Sequence, residues 1–316
     1  MKKNSRYGIT VLAAGVMGAL LLSSCEITVT EEVPVDTVHS ISGTVVNVRS
    51  VDQTDKPASG RVEARVFGES TAAATGYVNS TGTYTIPGLK PGSYLVTYKD
   101  TDADDASDWF GVPVSVSVGE GDVTNVGALV FKGVAADSVL LIATWTNSDY
   151  DIDSYSMVGP EGSAAQVYWS APTLNTGGNI VELERDVDET AIIAGTYTAE
   201  TTLVSGLATG TELRFFVKLY SLTSGSITGL DDGESSEMPA GVTVYAMYQE
   251  SATVATHFGT WFAPLNTAED AVGMVSMIGN ADGSLTVGSF GVNFASPATP
   301  RSATSGYYGV PVSDIR

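Results

Sequence analysis

The chain has 316 residues, of which 36 are acidic and 15 basic, for a net charge of −21. That balance excludes nucleic acid as a partner, because a phosphate backbone is held by clustered Lys and Arg. It also sets the chain against an anionic membrane surface, and acidity of this kind keeps an exported protein soluble.

The first 24 residues have a basic head (Lys2, Lys3, Arg6), an uncharged apolar run from Ile9 to Leu22, and small residues before Cys25. This is the layout of a signal peptide, and the run is shorter than the ~20 apolar residues that a membrane span needs. The tetrapeptide Leu22-Ser23-Ser24-Cys25 resembles the lipobox of bacterial lipoproteins. The resemblance implies lipid on the Cys25 thiol, cleavage on its amino side and partnership with a membrane through the lipid. Cys25 is the sole cysteine, so no disulfide can form within the chain and export is read from the leader alone. Losing the three cationic leader residues takes the net charge from −21 to −24. Two or more acyl chains make an attachment durable where one is marginal. Localisation follows as the bacterial cell envelope. Glu26 follows the cysteine in place of the aspartate that would resemble an inner-membrane retention signal, which favours the outer membrane or cell surface.

Residues 25–38 read as the lipidated cysteine and an acidic, Thr- and Val-rich tether. The rest, on a prior of about 150 residues per domain, divides into two domains. Short alternating runs, with turn residues roughly every 8 to 12 positions, predict an all-β fold of two tandem β-sandwich domains at 39–133 and 137–294. A loosely ordered tail is expected at 295–316.

In the first domain ISGTVVNV (41–48), RVEARVF (61–67) and SYLVTY (93–98) alternate apolar and polar residues, which puts one face on a core and one in water. Gly82 is placed for a tight turn, Leu89 to plug the end of the core, and Pro91-Gly92 to turn the chain into the next strand. The opening SGTV, the motif G-x-Y-x-I-x-G-L-x-P-G-x-Y from Gly82 to Tyr94 and the strand 123–131 resemble the carboxypeptidase regulatory-like, or transthyretin-like, β-sandwich family. That family includes the B-type repeats of collagen adhesins. The resemblance covers about ninety residues and implies a stalk, spacer or binding module. Adhesin repeats carry a Lys-to-Asn crosslink, but 41–48 has no lysine, so no crosslink is expected.

The second half opens with VLLIATW (139–145), apolar on both faces as a central strand should be. A tryptophan strand, a polar turn, Asp-x-Asp, another strand and the turn Gly159-Pro-Glu-Gly162 resemble a little-characterised β-sandwich domain of exported bacterial proteins. Further strands are expected at 194–197, 213–220, 242–245 and 274–278.

Asp149, Asp151 and Asp153 form the leading candidate site. Residues two apart in an extended segment share a side, so the carboxylates would line one edge while Tyr150 and Ile152 face the core. The row reads first as a solvated acidic edge that discourages edge-to-edge pairing. Its alternative is a site for a hard cation, Ca2+ above all, whose six to eight oxygen ligands favour carboxylates. The Asp100, Asp102, Asp104, Asp105, Asp108 group reads as a charged loop. Trp109, Trp169, Trp261, Tyr307 and Tyr308 read first as core residues and second as sugar-stacking surfaces.

No catalytic residue is assigned. His39, read as part of the tether region, and His257 are far apart, no His-Glu-x-x-His or Gly-x-Ser-x-Gly pattern occurs, and no phosphate-cradling glycine loop opens a helix. No cofactor beyond the calcium alternative is called for. The chain therefore reads as a non-catalytic envelope lipoprotein that displays binding, structural or adhesive modules, with a glycan or protein as ligand. Its alternative is a carbohydrate-binding accessory lipoprotein of a glycan-processing system.

Overall fold

The computed structural model describes residues 37–50, 53–101, 109–145, 150–160, 162–187, 198–222, 240–265, 271–289, 293–294 and 308–309. The leader, Cys25 and the tether up to residue 36 lie outside them, as do Asp102, Asp104, Asp105, Asp108, Asp149 and Tyr307. Among the described residues every regular element longer than a turn is a β-strand, so the chain is all-β.

The first half contributes β1 (His39–Asn47), β2 (Arg61–Val66), β3 (Ala74–Tyr77), β4 (Thr83–Leu89), β5 (Gly92–Lys99), β6 (Trp109–Gly111), β7 (Val114–Val118) and β8 (Val123–Lys132). The second half supplies β9 (Ser138–Trp145), β10 (Tyr150–Val158), β11 (Ala165–Val167), β12 (Thr173–Thr176), β13 (Asn179–Arg185), β14 (Thr198–Gly206) and β15 (Glu212–Leu222). It continues with β16 (Ala240–Ser251), β17 (Val254–Leu265), β18 (Ala271–Gly279), β19 (Leu285–Ser289), β20 (Asn293–Phe294) and β21 (Tyr308–Gly309).

Three sheets result. The first runs β3-β2-β5-β6-β8-β1-β4, with β7 on β5; the second runs β12-β13-β14-β9-β16-β17-β21; the third runs β11-β10-β15-β18-β19, with β20 on β18. His39 opens β1 instead of standing in a tether, and Tyr308–Gly309, within the expected loose tail, pairs with Trp261 and Phe262 of β17.

The glycine-tyrosine motif does what its residues suggest. Gly82 takes φ +78° in the turn before β4, and Asn79 Oδ1 accepts the amides of Thr81 and Thr83 across that turn. Tyr84, Ile86 and Leu89 are buried, and the Tyr94 hydroxyl donates to the Lys90 carbonyl at 2.8 Å, bracing the Pro-Gly turn. The glycine of SGTV has a separate cause. Gly43 lies opposite Val126 in the parallel β1–β8 pair, and a Cβ there would stand 1.8 Å from the Val126 carbonyl oxygen.

β9 explains how the halves associate. Flanked by β14 and β16, it is buried along its whole length. Val139, Leu141, Ala143 and Trp145 belong to the core between the second and third sheets. Leu140 and Ile142 point the other way, and with Ala199, Tyr245 and Met247 they join the core of the first sheet without a break. The second sheet is therefore a middle layer with both faces covered, and Thr37–Arg316 forms one compact unit. Charged groups bridge the same boundary: Arg49 pairs in bidentate fashion with Glu184, at 2.6 and 2.7 Å, and Arg185 Nη1 donates to the Val48 carbonyl.

Candidate functional site

Two places gather chemistry-bearing side chains. The first is a cleft of about 690 Å³ where Asn47, Arg49, Ser50, Asp55 and Lys132 of the first half face Glu182 and Glu184 of β13. Four of its charges are paired: Arg49 holds Glu184, Lys132 holds Asp55 at 2.9 Å, and Lys132 also sits 5.2 Å above the Trp109 ring. It serves as a charged latch between the halves.

The second is a group of three carboxylates, Asp153, Asp186 and Glu200, whose oxygens lie within 4.8 Å of one another. Asp153 sits on β10 opposite Lys218 of β15, Asp186 follows β13, and Glu200 lies on β14 opposite Ala143 of β9. Glu200 projects to the same side of its strand as Thr202 and Val204, toward the third sheet, and is completely buried. It serves as a substitute strand partner. β11 covers β10 only from Ser156 to Val158, and beyond that end the Ser154 amide donates to Glu200 Oε2 at 2.6 Å. The Val187 amide donates to Glu200 Oε1 at 3.4 Å. One side chain thus ties an open edge of the third sheet to the middle one, meeting the requirement that buried amides find acceptors.

Burial pushes the Glu200 carboxyl well above the usual carboxylate range, and the charges of Asp153 and Asp186 push the same way against the pull of Ser154. Burial likewise raises Asp153 to about 6; Asp186 adds to the rise, while a 3.0 Å hydrogen bond from the Tyr155 hydroxyl and the charge of Lys218 oppose it. The neighbouring Arg185 is lowered to about 10 by burial, with Glu200 opposing. Asp186 alone of the three is exposed, so the group opens to water through it.

The predicted acidic row is only partly represented here. Asp149 is outside the described residues, and Asp151 is in β10 with its side chain outside them. Ile152 faces the core as expected, but Asp153 is 7% exposed and does not line a solvated edge. Its neighbours Asp186 and Glu200 escape any reading of local spacing, since they come from another sheet. No alternation marked the glutamate as inward, because TAETTLVSG does not alternate and its strand is buried on both faces from Ala199 to Thr202.

The other candidates separate by burial. Asp100 accepts the Trp109 amide at 3.1 Å, which closes the base of its loop. Trp109 and Trp261 are core residues, whereas Trp169 is 54% exposed. Trp169 meets Tyr168 edge-on at 6.1 Å, and Tyr168 stacks on Tyr155 at 5.8 Å. Met157 and Phe216 pack beside Tyr155 on the outer face of the third sheet. His257 is half-buried, bonds Thr260 at 2.8 Å and has its pKa lowered by burial; His39 is on another sheet. The Tyr308 side chain lies outside the described residues.

No family model matches the chain, and no curated protein is similar enough to count as a relative. Two solved structures align with it over long stretches. The full-length major pilin SpaD of Corynebacterium diphtheriae is 12% identical, with 58% of this chain and 61% of that one covered and a TM-score of 0.22. The major pilin subunit BcpA of Bacillus cereus is 7% identical, with 86% and 95% covered and a TM-score of 0.26. Scores of this size leave the fold assignment to this chain's own strands and sheets.

Proposed function

We propose that this chain is a non-catalytic lipoprotein of the bacterial cell envelope, displaying a rigid stack of β-sheets for binding or for structural and adhesive roles. The observation that carries the reading is the sole cysteine, Cys25, standing directly after a basic head, an apolar run and small residues. The continuous core across β9 supports the display role, since modules that share a core hold a fixed shape at the end of a tether. Intact mass and palmitate labelling of the native protein, alongside Cys25→Ala, test it. The expected product starts at an acylated Cys25 and fractionates with membranes, and Cys25→Ala loses both properties. An unacylated thiol behind an intact leader would end the proposal.

A carbohydrate ligand is the second reading, and the exposed Trp169 favours it. An exposed indole set edge-on against Tyr168, which itself stacks on Tyr155, suits stacking against a sugar ring. On a polysaccharide array Trp169→Ala should weaken binding at least tenfold while leaving the melting temperature within about 1 °C, as for a surface change. Unaltered array binding by the variant would remove this reading.

A further inference from the structure

We infer that the ligand of the Trp169 face is an uncharged glycan chain, and that polysaccharides bearing uronic acids or sulfate are excluded from it. The inference rests on the carbohydrate reading of Trp169 and adds the class of sugar.

The indole stands at a hairpin tip. The Tyr168 amide donates to the Ala171 carbonyl at 3.2 Å and the Ala171 amide donates to the Tyr168 carbonyl at 2.9 Å, so Trp169 and Ser170 are the central residues of a two-residue turn. From that tip the indole reaches water, yet its ring is braced. It meets Tyr168 edge-on, Tyr168 stacks on Tyr155, and Met157 and Phe216 pack beside Tyr155. A ring already held in place gives up little rotamer freedom when a ligand stacks on it.

Charge selects the class of sugar. Residues 162–181 contain no charged side chain, although the chain as a whole is 16% charged. They span β11, the Trp169 turn, β12 and the start of β13; β11 and β12 are end strands of the third and middle sheets, and most of the stretch is exposed. The polar groups along this rim are neutral: exposed Gln166, opposite Met157 in the ladder, and the Ser170 hydroxyl, 3.3 Å from that of Tyr168. The cations of β15, on the same sheet, offer an anion little. Arg214 is buried and donates to the Gly159 carbonyl, and Lys218 lies opposite Asp153. A carboxylated or sulfated sugar would therefore lose hydration here for no counter-charge, against a chain of net charge −21. A neutral sugar loses only hydroxyl hydration, which Gln166, Tyr168 and Ser170 replace, while its apolar face covers the indole.

The test uses the full chain with Trp169→Ala and Trp169→Phe, against neutral polysaccharides (β-glucan, mannan), polyanionic ones (polygalacturonate, heparin) and phosphatidylcholine vesicles. A neutral polysaccharide should bind the native chain with a Kd that stays within about twofold between ~10 mM and ~150 mM salt, since there is no charge to screen. Trp169→Ala should weaken that binding about tenfold or more, and Trp169→Phe, which keeps a stacking ring, should recover part of it. Polyanions should bind about tenfold more weakly, or less, at the lower salt. Polyanion binding that equals or exceeds neutral binding and is lost in Trp169→Ala overturns the inference and leaves the carbohydrate reading standing. Absence of binding to every polysaccharide, or binding untouched in Trp169→Ala, removes the carbohydrate reading and the inference with it. Capture by the vesicles that depends on Trp169, with no polysaccharide bound, would assign the tip to a lipid surface and overturn both.

Discussion

Ile142→Ala is expected to destabilise the protein by about 2–5 kcal/mol and to shift the unfolding of the first sheet together with that of the other two. Ile142 is fully buried at the centre of the middle sheet, and it faces the core that includes Val45, Val96 and Phe131 of the first half. Truncation removes apolar burial and leaves a cavity whose walls belong to both halves. Hydrogen exchange reads the outcome directly: amides of β1 and β8 should lose protection alongside those of β10 and β15. Leu141→Ala, one residue away, opens its cavity on the side of the third sheet. It should cost a similar amount, so the pair separates a loss of core from a loss of coupling. Unchanged protection in β1 and β8 for Ile142→Ala would show that the first sheet folds by itself and that the shared core does not couple the halves.

Asp153→Asn is expected to stabilise the protein at pH 7 by up to about 3 kcal/mol and to flatten its stability between pH 4 and 6. The sign follows from the direction of the shift. Burial raises the Asp153 carboxyl from 3.8 to about 6, so the folded protein holds this proton more tightly than the unfolded chain does. The stabilisation is complete below the unfolded value and is lost as pH rises through the folded one. Native protein should therefore gain stability from this group as pH falls from 7 toward 4. Asn has no proton to lose, and its amide oxygen still accepts from the Tyr155 hydroxyl. Denaturant titrations at a series of pH values, native against variant, measure the difference. A variant with the native slope, or one less stable than native at pH 7, would show that Asp153 carries no such cost.

Several features of the molecule were readable from residue order. Alternation in RVEARV reappears as alternating burial in β2 from Arg61 to Arg65, with Val66 at its end exposed. The turn residues of the glycine-tyrosine motif act within a few positions of one another, so their chemistry is local. The run VLLIATW, apolar on both faces, correctly marked a strand without a solvated side. Period and turn chemistry depend on near neighbours, and near neighbours are what a sequence displays.

Other features were not readable. An apolar face on β9 says that something covers it, and only the tertiary structure decided that the first half does so. The three tryptophans Trp109, Trp169 and Trp261 look alike on paper; the sheet packing buried two and left Trp169 in water. Asp153 seemed to belong with Asp149 and Asp151, its neighbours by number. Folding instead set it beside Asp186 and Glu200, because β10 has an open edge at Ser154 that a glutamate from another sheet fills. By itself, then, the sequence determined the all-β class, many of the strands and the turns between them. Tertiary structure decided which faces meet and which carboxylates share a pocket, since those outcomes depend on long-range pairing that no local spacing encodes.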